Sequence, residues 1–307
     1  MSLFNLFSCC LRSRPKSPKK DVPKEEHAFL LDMPDVFTNQ ILKNLDFATI
    51  RKLRKVCHAL RDFIDCAKPD SNLKSINLKV RANKIFVLLS TPSSTKAIEF
   101  SYKEHEHQCL MQRGRRFAMF DKNCVDLCVD DFLWPALKHQ KSLLDELYLT
   151  RQLEFGENNQ SIPQTPGKLL VPIFGKLFDS LINVLKSRDQ LLKVENLMIS
   201  LTGQYQLMQL LRHVDLKALK RLALVRLSET EKLMDDREDN SEFGLDLDIL
   251  KNCKNLVELH VKRFSISSPL RMLAHIRTWR LTCKQFTVKI YYISFRPWKN
   301  QTTVLSH

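Results

Sequence analysis

Residues 33–64 read MPDVFTNQILKNLDFATIRKLRKVCHALRDFI. Phe37, Ile41 and Leu45 recur at helical spacing with Leu42 beside them. After a break at Asp46 the same spacing carries Ile50, Leu53, Val56, Leu60 and Ile64. Apolar residues three and four apart fall on one side of a helix, so the pattern predicts amphipathic helices. A segment below roughly 40 residues is seldom stable alone. Each Leu or Ile left in water forgoes about 1.5–3 kcal/mol. The stretch holds more apolar surface than it can bury within itself, and another protein is expected to cover one face.

This stretch resembles an F-box. The matching residues are Met33-Pro34, Ile41-Leu42, Leu45, Asp46, Ile50, Leu53-Arg54, Val56-Cys57 and Leu60-Arg61, with Met33 standing where the family has Leu. The resemblance implies docking on a Skp-type adaptor, and through it on the cullin of a ubiquitin ligase. Met33, Pro34, Ile41, Leu42, Leu45, Ile50, Leu53 and Val56 are the expected adaptor-binding residues, with Pro34, Ile41, Leu42 and Leu45 foremost. The rest of the chain resembles the FTH domain found behind F-boxes in nematode proteins, through Ser75–Val80, Asp131–Leu133 and Leu143–Leu149. That resemblance implies an interaction domain with no assigned chemistry.

The expected layout is a basic, disordered tail over 1–26, the F-box over 27–69, and an FTH, substrate-binding domain over 70–307. The tail carries Arg12, Arg14, Lys16, Lys19, Lys20 and Lys24 broken by Pro15, Pro18 and Pro23, a composition that cannot pack. Behind the helices a six-residue pattern, L-x-x-L-x-L, recurs. It begins at Leu73, Leu144, Val194, Leu219 and Leu256, with a degenerate sixth copy over Cys283, Phe286 and Val288. Some of the offsets fit the roughly 20–29 residues of a leucine-rich repeat. Helical patterns lie between the copies: Phe132, Leu133, Ala136, Leu137; Phe174, Leu177, Phe178, Leu181, Leu185; Leu207, Leu210, Leu211, Val214; and Leu247, Leu250, Cys253. The predicted fold class is α/β: a helical module, then an irregular leucine-rich-repeat-like solenoid of parallel strands backed by helices. In the long gap after Leu73, segments near 85–89, 97–102, 108–111 and 117–120 predict a small antiparallel meander capping that solenoid.

Strand side chains alternate between faces. If Leu147 and Leu149 face the core, Tyr148 faces out. By the same logic Met198, Arg221, His260, Lys262, Thr287 and Lys289 line one exposed side, the candidate target-binding row. Net charge is +15, and it is unevenly spread. From Lys262 to His307 there are nine Lys or Arg and no acid, whereas Glu229–Asp248 holds nine acids. The acidic stretch neutralises the basic end, or both are merely solvated, or the basic end takes an acidic or phosphorylated protein substrate.

Other chemistry is thinly represented. Glycine is scarce, at 6 residues, and neither G-x-G-x-x-G nor G-x-x-x-x-G-K occurs. No H-E-x-x-H, G-x-S-x-G or kinase loop set is present. Cys57 and His58 are neighbours, and adjacent residues on a helix do not face one another. No catalytic residue, cofactor, metal or small-molecule substrate is expected, and the chain is read as non-enzymatic. His105, His107 and Cys109, with Cys124 or Cys128, are the residues from which a zinc site would be built, but no C-x-x-C accompanies them. No run of 18 apolar residues predicts a membrane span. The nine cysteines and the absence of secretory-signal order predict reduced thiols in the cytoplasm or nucleus. Cys9 and Cys10, beside Phe4, Leu6 and Phe7 and ahead of basic residues, are lipidation candidates that would hold the tail at a membrane surface.

The expected role is that of a non-catalytic substrate receptor in a ubiquitin ligase. The alternatives are a scaffold that uses the adaptor without degradation, and a basic nucleic-acid-binding protein. Arg51, Lys52, Arg54, Lys55 and Arg61 on the second helical run would serve the latter as a helix-turn-helix.

Overall fold

The computed structural model describes residues 33–81, 83–94, 96–106, 108–151, 170–227, 244–282 and 287–291. The expectations for the tail, Cys9 and Cys10, His107, most of the acidic stretch and the last basic residues lie outside them.

Three helices open the described chain: α1 (Asp35–Asn44), α2 (Phe47–Leu53) and α3 (His58–Ala67). The break between α1 and α2 has a local cause. Asp46 has extended backbone, and its side chain accepts a hydrogen bond from the Thr49 amide at 2.7 Å, satisfying one of the open N–H groups of α2. Cys57 caps α3 more weakly, its Sγ lying 3.5 Å from the Leu60 amide.

A meander follows: β1 (Ser75–Arg81), β2 (Lys84–Ser90), β3 (Ile98–His105), β4 (Gln108–Arg113) and β5 (Arg116–Phe120), each antiparallel to the next. Then come α4 (Cys124–Cys128), a π-helical turn (Val129–Leu133) and α5 (Trp134–Leu137). The remainder alternates: β6 (Leu144–Arg151), α6 (Leu170–Lys186), β7 (Val194–Leu201), α7 (Gln204–Leu211), β8 (Arg221–Arg226), β9 (Gly244–Leu245), β10 (Glu258–Lys262), β11 (Ser265–Ile266), β12 (Thr278–Thr282) and β13 (Thr287–Tyr291).

Apart from the short β9–β11 pair, these strands form one 11-stranded sheet in the order β13-β12-β10-β8-β7-β6-β1-β2-β3-β4-β5. β1, β6, β7, β8, β10 and β12 run parallel. The chain is therefore mixed α/β, with a helical front and a single large sheet whose meander continues the parallel strands beyond β1.

The apolar repeat explains the register. Ile76 lies opposite Leu147, then Leu197, Leu222, Leu259 and Trp279 along the sheet. The row Leu78, Leu149, Ile199, Leu224, Val261 and Leu281 runs beside it. A one-residue slip would move all of these to the other face. The rows are buried, except that Leu281 is partly exposed, and they pack under the helices. From α6 alone Phe174, Leu177, Phe178, Leu181 and Leu185 enter the same core. The sixth member of the ladder is Ile276, Trp279 and Leu281, and it corrects the expected copy over Cys283, Phe286 and Val288. Val288 sits in β13, which runs antiparallel to β12, and Cys283 and Phe286 lie outside the described residues. Trp279 escapes the L-x-x-L-x-L pattern because its large ring stands where the other copies have a leucine. It is fully buried and gives its indole N–H to the Ile276 carbonyl at 2.9 Å, so its one polar group is satisfied.

Candidate functional site

Two surfaces stand out: the front of the helical module, and the sheet face away from the helices.

In the module, Leu42, Ile50 and Ile64 form a small core of their own, with Leu45, Leu53, Phe63 and Ala67 against it. Leu42 is 1% exposed, so it and Ile50 face inward and hold the three helices together. Ile41, Leu45 and Leu53 are half-buried. Met33, Pro34 and Val56 are exposed. Two further residues join them that helical spacing did not single out as a surface: Val36, 76% exposed, and Phe37, 63% exposed. Periodicity had grouped Phe37 with Ile41 and Leu45, but a stripe on a helix does not say which part of it meets the rest of the chain.

The module is also fastened to the sheet domain. Phe47 enters the main core. Arg51 reaches Asp131 in the π-helical turn, with Nη2 3.9 Å from its carboxylate and 3.4 Å from its carbonyl oxygen. The Tyr102 hydroxyl donates to the Asp131 carboxylate at 3.3 Å. Burial lowers the Arg51 pKa, against an opposing pull from Asp131. Burial also drives the Tyr102 hydroxyl well above its usual value, with Cys128 and Asp131 adding to the rise. Both groups keep their protons.

The connecting segment is stitched as well. Asp70 accepts amide hydrogen bonds from Asn72 (3.0 Å), Lys141 (2.8 Å) and Ser142 (2.7 Å). Gln140 exchanges hydrogen bonds with the Leu73 amide and carbonyl, each at 3.0 Å. A cavity of about 410 Å³ lies at this joint, between α2, α3 and α5.

Lys55 lies beside this fastening. Its pKa is lowered to about 8, first by burial and then by the Arg51 charge. The sign follows from linkage. Between about pH 8 and 10.5 the unfolded chain holds a proton at this lysine that the folded chain has lost, so stability rises with pH across that window. Below pH 8 both states are protonated and the contribution is flat. Lys55→Met, which removes the desolvated charge, is expected to have the higher urea midpoint at pH 8, and its lead over wild type is expected to shrink as pH is raised to 10. A constant difference would contradict the assignment.

On the sheet, the register places Tyr148, Met198, Ala223, His260 and Arg280 in one cross-strand row on the face away from the helices, with Lys289 next in register. Arg221 lies in the neighbouring row opposite Glu258, and Lys262 one row beyond His260, opposite Thr282 and then Thr287. Tyr148, Met198, Arg221, His260 and Lys262 thus share a face, although not a single row. Tyr148 and Met198 are half-buried, Arg221 and Lys262 exposed. Arg221 and His260 both meet Glu258, at 3.6 Å and 2.6 Å. Burial and then Glu146 raise the Tyr148 pKa.

Of the residues from which a zinc site would be built, His105 and Cys109 fall on opposite faces of the sheet. His105 ends β3 exposed, Glu106 turns the chain with φ 52°, and Cys109 pairs with Glu104 on the buried side of β4. Among the described residues no three metal-ligating side chains gather, and no helix is long and apolar enough to cross a membrane.

Two family models match this chain, an F-box domain over residues 30–71 and an FTH domain over residues 175–294. The first spans α1 to α3 and the stitched connector. The second opens inside α6, so Ser75–Val80, Asp131–Leu133 and Leu143–Leu149 precede it. No curated protein and no solved structure matches.

Proposed function

Because this chain carries an F-box domain followed by an FTH domain, we propose that it is a substrate receptor of a cullin-RING ubiquitin ligase, docking a Skp-type adaptor at its front and a target protein on its sheet. The observation that carries the reading is the split character of the F-box. Phe47 and Arg51 fasten it to the sheet domain, while Met33, Val36, Phe37 and Val56 are exposed. A folded module that leaves large apolar side chains in water favours covering them with a partner. We place the adaptor there, with Pro34 and the exposed parts of Ile41, Leu45 and Leu53 at the rim. Leu42 and Ile50 support this surface from beneath.

The target would lie on the outer face around Tyr148, Met198, Arg221, His260, Lys262, Thr287 and Lys289. The in-register apolar ladder supports reading the parallel strands as an irregular leucine-rich-repeat-like solenoid, and such arrays present extended faces to partners. The chain supplies no chemistry in this role. It raises the effective concentration of target lysines near a conjugating enzyme carried elsewhere in the assembly.

Affinity capture of the full chain followed by proteomics tests the proposal. A Skp-type adaptor and a cullin are expected among the captured proteins, and their absence would overturn it. Truncating Tyr148 and Met198 to alanine is expected to weaken target retention about tenfold or more, as for paired hot-spot residues, with adaptor retention unchanged. Equal target recovery would move the target site off this row.

A further inference from the structure

The outer face of the meander carries an arrangement that packing does not call for. Arg81 at the end of β1 lies directly opposite Lys84 in β2, and Lys84 directly opposite Lys103 in β3. Three cations thus stand in one cross-strand row. Side chains so paired are roughly 5 Å apart, and like charges at that separation destabilise a sheet. A fourth, Lys79, lies on the same face opposite Phe86. Arg81 and Lys84 both sit over the Phe86 ring, at 4.9 Å and 4.4 Å from its centre. The crowding registers in Lys84, whose pKa is lowered by burial and then by Arg81 and Lys103, with Glu99 pulling the other way.

The same rows change character as they cross the sheet. Lys103 is followed by Leu110 and then Met119, and Phe86 by Ser101, Gln112 and then Phe117. Phe117 is 75% exposed and Met119 43%, on a strand that ends the sheet among the described residues. A compact anion-seeking cluster therefore adjoins a bare apolar strip roughly 10 Å away, the width of two strand spacings.

We propose that this face binds a phosphorylated peptide segment, the phosphoryl group held by Arg81, Lys84 and Lys103 and apolar side chains about three residues away resting on Leu110, Phe117 and Met119. A phosphomonoester brings close to two negative charges and three acceptor oxygens to one point, which matches a tight group of cations better than a single carboxylate does. A nucleic-acid strand fits less well. Its charges repeat along its length, whereas these cations stop at β3, and the Phe86 face on which a base would stack is already occupied by Arg81 and Lys84. The surface is distinct from the row around Tyr148, and binding here does not require that the ligase assemble.

The test uses the purified full chain and a fluorescent peptide carrying phosphothreonine three residues before Leu-Phe. Measurable binding, at least about tenfold weaker for the unphosphorylated peptide, is expected. Lys84→Glu should abolish it while raising the melting temperature of the unliganded protein, because the row becomes alternating in sign. If that variant does not fold, Lys103→Gln serves, with the same two readouts. Equal binding of the unphosphorylated peptide would overturn the proposal. So would full binding by both variants, or complete displacement of the phosphopeptide by an equimolar oligothymidylate.

Discussion

Replacing Val36 and Phe37 together with aspartate is expected to lower adaptor affinity by about a hundredfold or more, while the melting temperature changes little. Truncating a central aromatic anchor commonly costs 2 kcal/mol or more in a protein interface, and roughly 2.7 kcal/mol is a hundredfold. Introducing a carboxylate adds the desolvation of a buried charge. Fold stability should be spared because both side chains are largely in water in the free chain, at 76% and 63% exposure. Surface substitutions of that kind usually stay within about 0.5 kcal/mol. Leu45→Asp is less discriminating. Leu45 packs against the Leu42–Ile50–Ile64 cluster, so losing adaptor binding there would follow from a damaged module as readily as from a damaged interface. Titration of the purified adaptor onto wild type and Val36→Asp/Phe37→Asp, with thermal melts of both, gives the answer. Retained affinity in a folded double variant would remove this face from the proposed interface.

The contrast between those residues shows what the sequence could say. Helical spacing marks Phe37, Ile41, Leu42, Leu45, Ile50 and Ile64 as apolar stripes, and those residues do lie on helices or at their ends. It cannot rank them by exposure. That depends on how three short helices cross, and on which side the sheet domain covers. Leu42 and Ile50 therefore turned out to be interior, and Val36, which breaks the stripe, turned out to be bare. The strands were more legible. A period of two, repeated in copies that must stack, fixes both face and register, so Tyr148, Met198 and His260 fall in one row as alternation implied. It misled only at the last copy, where a tryptophan and a partly buried leucine replaced the usual pair. Arg51 was illegible for a different reason. It reads as one more cation on a basic helix, and its partner Asp131 lies 80 residues further along the chain. Only the fold brings them together, and the helix-turn-helix alternative loses that cation to an internal contact.

That contact supports the second large prediction. Arg51→Met is expected to destabilise the protein by about 3 kcal/mol, the low end for removing one member of a buried pair. The lower end applies because the guanidinium–carboxylate separation is 3.9 Å, although burial of Asp131 argues against a negligible effect. Removing Arg51 takes a cation away from Asp131, whose side chain is only 3% exposed and accepts from the Tyr102 hydroxyl. The loss should therefore be largely recovered when Asp131 is neutralised too. An Arg51→Met/Asp131→Leu chain is expected to lie well above the sum of the two single effects, because replacing both partners by apolar groups of similar size removes the stranded charge along with the attraction. Urea unfolding of the four proteins in this cycle measures the coupling. Strictly additive effects would show that the two side chains do not act as a pair. The functional consequence is separable from stability. Asp70, Gln140 and Phe47 still hold the connector in the double variant, so adaptor binding should persist. Arg51→Met alone should loosen the hold of the F-box on the sheet, which limited proteolysis between α3 and β1 would report as faster cleavage than in wild type or the double variant.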